Sequence, residues 1–390
     1  MEVIFALIAG MALIDGFIER QFFGITVLYI GMLLLFLSYV YEITCRTRLK
    51  IKLQGYETIW LTLIVYGLVV TLGSFVEELK PFVSEKVLIN SGYVFRQAYY
   101  IFFFPAVILV TDSKSKRFCY TIIKKYNRLL FLIIAVVNTL KNMDPATSVV
   151  TTFLLAFLSL MSSRKNVVDI LMAVFILFSP VAVGGEMTNV LIRFVYAAIF
   201  LFGKKRTGLL KLMMLGIWCC VGICFVIPFL LETSGDLVDA NTAWRARFWE
   251  DEIKILADSL FTGVGYGTSY TSTDFVNPST YVLTHAGEPF APTAQYSTYD
   301  KVFVTGPHNS FVSLTFRLGL IGLLLFSTFL IVLQKKQISC MKGVSLASIF
   351  AICSSLIIIT LNVGLESPTY LLLFIFSACI ANYELKNGSG

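Results

Sequence analysis

What most constrains this chain is the recurrence of apolar runs long enough to cross a bilayer, from residue 3 to residue 384, with short polar breaks between most of them. A span needs about 20 mostly apolar residues. Candidates fall at 3–14, 22–41, 57–73, 93–111, 128–140, 147–163, 166–184, 187–202, 209–231, 309–334, 344–362 and 368–384, of which the first and fifth are short. With 57% hydrophobic and 14% charged residues and a mean hydropathy of +0.80, the chain carries more hydrocarbon surface than one soluble core can hide, so lipid must be its solvent. The expected fold class is an all-α polytopic membrane protein of about 12 transmembrane helices, one domain over residues 1–386. Residues 387–390, Asn387-Gly388-Ser389-Gly390, look like a linker scar. Glu2 follows Met1 without a basic leader or small-residue cleavage site, so the first segment is expected to stay as a helix.

A formal charge of +7 can signal a nucleic-acid partner. Here the basic residues form short clusters between apolar runs, which reads as topology, and no nucleic acid is expected. The clusters are Arg46/Arg48/Lys50/Lys52, Lys114/Lys116/Arg117/Lys124/Lys125, Arg164/Lys165, Lys204/Lys205/Arg206/Lys211 and Lys335/Lys336/Lys342, with Lys386 near the end. Every second connection carries one, which places both termini in the cytoplasm. The alternate connections, around Asp15/Glu19, Glu77/Glu78, Asp144, Glu186 and Glu366, face outward. All eight cysteines fall in spans or on the cytoplasmic side, and no disulfide framework is implied.

No internal repeat is visible, and the asymmetry is informative: the connection between the ninth and tenth spans runs over residues 232–308. Loops of that length are functional or disordered, and this one carries Trp244, Phe248, Trp249, Tyr266, Tyr270, Tyr281, Phe290, Tyr296 and Phe303. So aromatic a segment should fold against something. A helix is expected near 243–260, opened by Asn241 or Thr242 and closed at Gly263. On it Arg245 and Trp249 share a face, while Arg247 can pair with Asp251. Gly263, Gly265 and Gly267 read as a turn, because no βαβ unit exists here to make them a dinucleotide fingerprint.

The chain's two histidines, His285 and His308, both lie in this loop. Imidazole is the side chain most easily poised as a general base near neutral pH. His308 stands where the tenth span begins, with Asn309 or Ser310 as cap, at a helix end that favours neutral imidazole and attracts anions. The bland readings are a capping role for His308 and an ordinary loop residue at His285. Two histidines without a local cysteine or carboxylate cluster do not argue for a zinc site, and neither metal nor cofactor is expected.

Arg193 lies about six residues into the eighth span and Arg317 about eight into the tenth, so at 1.5 Å per residue each would sit roughly 9–12 Å below the outer surface. Mid-span arginine costs about 2.5–3.5 kcal/mol on insertion scales, so it normally lines a cavity and binds something. The alternative is snorkelling or pairing with a carbonyl. Arg96, near the outer end of the fourth span, and Arg245 complete a set of outward guanidiniums, whose forks match phosphate oxygens. A lipid pyrophosphate is the anion naturally found at that depth.

The ordered set Arg245-x-x-x-Trp249, then Gly263-Val264-Gly265-Tyr266-Gly267, then His308-Asn309-Ser310-Phe311 followed by residues 319–326 (GLIGLLLF) resembles the O-antigen polymerase and O-antigen ligase superfamily. The match covers residues 242–326 and the twelve-span layout. The resemblance implies a GT-C-like, metal-independent glycosyltransferase of the bacterial inner (plasma) membrane. Such an enzyme takes a glycan from undecaprenyl pyrophosphate on the periplasmic face, in lipopolysaccharide or other surface polysaccharide biosynthesis. Carried over, His308 is the catalytic base, Arg245 and Arg317 hold the pyrophosphate, and Arg193 and Arg96 are further ligands. Arg317 departs from the acidic residue that many relatives carry there. Trp249, Tyr266, Tyr270 and Asn309 are candidate glycan contacts. The implied partners are lipid-linked oligosaccharide as donor and acceptor, membrane lipid and a chain-length regulator protein.

Polymerase and ligase differ only in acceptor, a lipid-linked repeat unit or a lipid A core sugar, and chain length and family breadth favour polymerase. A secondary transporter or flippase would also have twelve spans and intramembrane arginine, but such folds usually show repeats and short outward loops.

Overall fold

In a computed structural model of the chain, the described residues are 55–76, 87–94, 96–98, 101, 113–142, 146–162, 166–182, 186–203, 207–231, 240–259, 262–273, 309–340, 344–362, 365 and 367–387. To these are added 276–277, 282–285, 288–289, 302–303, 306 and scattered positions before residue 38. Ten α-helices are described: α1 (Gly55–Phe75), α2 (Ser113–Asn142), α3 (Val149–Leu160), α4 (Val167–Phe178), α5 (Glu186–Phe202), α6 (Thr207–Leu231), α7 (Ala240–Asp258), α8 (Ser310–Ser339), α9 (Leu346–Leu361) and α10 (Pro368–Asn387). Short strands interrupt the helical pattern. β1 (Gln21–Phe22) pairs antiparallel with β2 (Ile25–Thr26), so the second expected span starts later than residue 22. β3 (Val276–Asn277), β4 (Val282–His285) and β5 (Glu288–Pro289) form an antiparallel ribbon inside the long connection.

The third and the fifth to twelfth expected spans coincide with helices, while the first and most of the second and fourth lie outside the described residues. The fifth is the apolar end of α2, whose first half carries the basic residues Lys114, Lys116, Arg117, Lys124 and Lys125. By length and composition α1 and α8 can cross a membrane, and five shorter apolar helices accompany them.

Apolar side chains fill the interior and also cover much of the outer surface. α9 is buried at every residue from Ala347 to Thr360, and its small side chains let neighbours approach: Ser355 Oγ meets Ser377 Oγ of α10 at 2.8 Å. Around this centre Phe178 is 79% exposed, Phe194 69% and Leu140 69%. A surface that apolar is suited to hydrocarbon rather than water. Polar pins fix the ends of the bundle. Arg128 of α2 forks onto Asp169, at 3.2 and 3.0 Å, and Asp169 also closes the capping box of α4 with Asn166. Lys386 pairs with Glu57 at 2.7 Å. Thr188, in the first turn of α5, accepts from Asn362 Nδ2 at the C-cap of α9, so those two helix ends are level.

One expected span differs in kind. α8 breaks at Gly319, whose φ of 64° and ψ of −170° lie outside the helical region. The rings of Phe311 and Phe326 stand 5.6 Å apart, whereas an unbroken helix at 1.5 Å per residue would separate these positions by about 22 Å. The arm 310–318 therefore folds back against the arm 320–339, and only the second is a straight span. The break lies two residues past Arg317, which therefore stands at the end of the first arm and not within a straight helix.

That backbone conformation is essentially open to glycine alone, and other residues pay about 1–3 kcal/mol to hold it. Gly319→Ala should lower the thermal unfolding midpoint of the detergent-purified protein by several degrees; an unchanged midpoint would mean the break is not built in.

Candidate active site

Residues 262–272 form a strap that leaves the C-terminal end of α7 and threads between α1 and the break in α8. The three spaced glycines make it possible. Gly263, Gly265 and Gly267 have φ of 84°, 75° and 84°, and each is pressed against a different wall. A Cβ on Gly263 would meet Gly319 N at 2.4 Å and Arg317 O at 2.5 Å, one on Gly265 would meet Ser74 Oγ at 2.8 Å, and one on Gly267 Val94 Cγ2 at 2.6 Å. The turn read from the sequence is thus a close approach of backbone to three neighbours.

Where the first arm of α8 ends, its last carbonyls have no helical partner. The strap supplies donors: Val264 N reaches Phe316 O at 3.0 Å and Gly265 N reaches Arg317 O at 2.9 Å. Farther along, Asn90 N donates to Gly267 O, Ser269 N to Leu88 O and Tyr270 N to Val302 O. The far end is tied to α7, where Asp251, expected to pair with Arg247, accepts from Ser272 N at 2.7 Å and Ser272 Oγ at 2.5 Å.

Arg317 points into this strap and is 1% exposed. Its Nη1 donates to Thr268 O at 2.8 Å and to Thr268 Oγ1, with longer contacts to Gly265 O and Ser269 O. The guanidinium lies 4.1 Å from the ring centre of Tyr270, a cation–π arrangement. Its Nε and Nη2 are buried and have no hydrogen-bond partner among the described residues. Those two nitrogens form one edge of the guanidinium, the side-on fork that matches a pair of oxyanion oxygens. Buried donors left unmade cost about 1–3 kcal/mol each, so this edge is a candidate receptor for an anion.

The first arm of α8 begins at Asn309, whose Oδ1 accepts from Phe311 N and Val312 N as N-cap. Asn309 is fully buried and its Nδ2 has no partner among the described residues. Ser310 Oγ donates to Asn362 O and accepts from Leu365 N, fixing the cap against the end of α9. His308 lies outside the described residues, as does the side chain of His285; the His285 backbone pairs with Glu288.

Of the other expected site residues, Arg96 is exposed, and Arg245 is half-buried on α7 with an interaction of its own inside the protein. Trp249, Tyr266 and Tyr270 are buried, and Arg317 covers one face of Tyr270. Arg193 serves a different corner. Its Nε donates to Asn189 Oδ1 at 3.0 Å, Nη1 to Ser179 O at 2.5 Å, and Nη2 to Thr147 Oγ1 at 2.7 Å and Pro180 O at 3.2 Å. All three nitrogens thus have protein acceptors, locking the entry to α3 onto the exit from α4, which is the carbonyl-pairing alternative.

Sequence reasoning missed Gln97. This buried amide donates from Nε2 to Thr268 O and Phe303 O, both at 2.9 Å, and accepts from Gly267 N at 2.7 Å. It joins the strap to the segment leading to His308. The signal was present, since a lone amide in an apolar run needs partners.

A family model described as O-Antigen ligase matches residues 128–327, more than half of the chain. It takes in the strap, the first arm of α8 and the break. No curated protein and no solved structure matches the chain.

Replacing Arg193 by Met strands several buried acceptors at about 1–3 kcal/mol each. The purified variant should lose folded protein in a thermal melt; full stability in the variant would contradict the locking role.

Proposed function

The chain belongs to the O-antigen ligase family, and we propose on that premise that it polymerises undecaprenyl-pyrophosphate-linked oligosaccharide repeat units at the periplasmic face of the bacterial inner membrane. On this reading it crosses the membrane about twelve times, with both termini in the cytoplasm. The observation that carries the proposal is the buried Arg317 with its Nε–Nη2 edge open.

The donor pyrophosphate places two oxygens against that edge. Nη1, held by Thr268, keeps the guanidinium oriented, and Tyr270 supports its face. An acceptor sugar hydroxyl attacks the anomeric carbon of the donor glycan while His308 takes its proton. The bond from the anomeric carbon to the pyrophosphate oxygen breaks, and the electron pair leaves on the pyrophosphate. Charge develops next to a guanidinium already in place, so little reorganisation is needed. Arg245 and Arg96 are the further candidates for the second phosphate. Asn309, beside the base and with an amide donor to spare, is a candidate contact for the acceptor.

A ligase would perform the same chemistry on a lipid A core sugar, and membership of the family is compatible with either acceptor. The acceptor decides between them. In cells making the matching repeat unit, loss of the protein leaves lipid A capped with one unit if it is a polymerase, and bare core if it is a ligase.

Purified protein given lipid-linked repeat units should make long chains. His308→Ala should slow extension by about 10²–10⁴-fold, the usual contribution of a positioned base. Arg317→Lys keeps the charge but not the fork, and should lose comparable activity. If both variants melt like the wild type and still extend chains, the site assignment is wrong.

A further inference from the structure

Resting on the reading of Arg317 as a ligand of the donor pyrophosphate, we propose that Gln97 is a positioning residue for the transfer step, acting through the strap to aim that guanidinium. Among the described residues, Arg317 takes its hydrogen bonds from the strap alone: its acceptors are Gly265 O, Thr268 O, Thr268 Oγ1 and Ser269 O. The open edge therefore points wherever residues 265–269 hold Nη1.

Those residues need an outside restraint. Gly267 has φ of 84° and no Cβ, so no side chain of its own limits the backbone there. Gln97, 2% exposed, supplies the restraint. Its Oε1 accepts from Gly267 N at 2.7 Å and its Nε2 donates to Thr268 O at 2.9 Å, so the two-residue unit is gripped at both ends. Thr268 O also accepts from Arg317 Nη1 at 2.8 Å, and one carbonyl thus takes both donors on its two lone pairs. Gln97 Nε2 donates again to Phe303 O at 2.9 Å, and the Phe303 ring is stacked on Tyr93 with centres 4.8 Å apart. Only one orientation of this amide fits, because a flipped group would set its oxygen against two carbonyls.

The strap keeps its seat without Gln97. Asn90 N to Gly267 O at 2.7 Å, Ser269 N to Leu88 O at 2.8 Å and Tyr270 N to Val302 O at 2.9 Å hold it independently. Loss of the Gln97 amide therefore frees the turn at 267–268 while the strap stays in place, and Nη1 follows its carbonyl. A displacement of about 1 Å at a group that meets the transition state can cost about 10²-fold in rate. Leaving-group charge develops only in the transition state, so an aiming role is read in kcat, whereas a role in ground-state binding is read in KM.

The test uses full-length protein in detergent, assayed on lipid-linked repeat units below the unfolding midpoint of each variant. Gln97→Met, close to glutamine in length but without its hydrogen bonds, should lower kcat about 10–100-fold and leave KM within about threefold. In an Arg317→Lys background the same substitution should cost less than about threefold more, since residues that act as a unit are not additive. Equal fold-losses in both backgrounds, or a rise in KM alone, would overturn the proposal. If Gln97→Met does not fold, Gln97→Asn, which keeps a buried amide one methylene short, carries the same cycle. A readout without turnover is the Nε–H resonance of Arg317 in protein made with isotope-labelled arginine, assigned by its loss in Arg317→Lys. It should move in the Gln97 variant, and an unmoved resonance counts against the aiming role. If the wild-type protein transfers no glycan while that resonance moves, the transferase reading fails and the link from Gln97 to Arg317 stands.

Discussion

A helix that ends among packed apolar neighbours leaves carbonyls that neither water nor lipid can satisfy, and the centre of this protein is organised around that problem. α8 stops at Gly319, and the backbone of Val264 and Gly265 supplies the missing donors. For the strap to come that close, its glycines must have no side chain and must adopt left-handed backbone angles. The position of Arg317, the supporting ring of Tyr270 and the bridge through Gln97 all follow from that contact. Without the strap, the broken helix would be an unpaired end in a place that tolerates none.

Apolar runs alone located most of the helices. Positions of α1, α3, α5, α6, α9 and α10 agree with the apolar runs within a few residues, whereas α4 ends six residues before its run does. The fold-back at Gly319 was not visible in the same way. Hydropathy averages over the run from 309 to 334 and is blind to a single dihedral angle; only a glycine in an apolar stretch hinted at it.

The arginines show the same division. The cost of a guanidinium in a span correctly announced that Arg193 and Arg317 must be answered by something. What answers Arg193 is Thr147, Ser179 and Pro180, brought from distant connections by the packing of α3, α4 and α5. No spacing rule reaches that far. Arg317 is answered on one side only, and the difference between the two lies in tertiary contacts. Gln97 escaped notice because a single amide carries no pattern.

The two edges of Arg317 have different duties on the proposed reading, Nη1 holding the strap and Nε with Nη2 meeting the substrate. Both belong to one delocalised group, so no replacement side chain retains one edge while dropping the other. A genetic screen would accordingly find position 317 nearly without intermediate alleles. Second-site suppressors that restore folding would leave such mutants inactive. Selection acting on stability and selection acting on chemistry converge there on one codon.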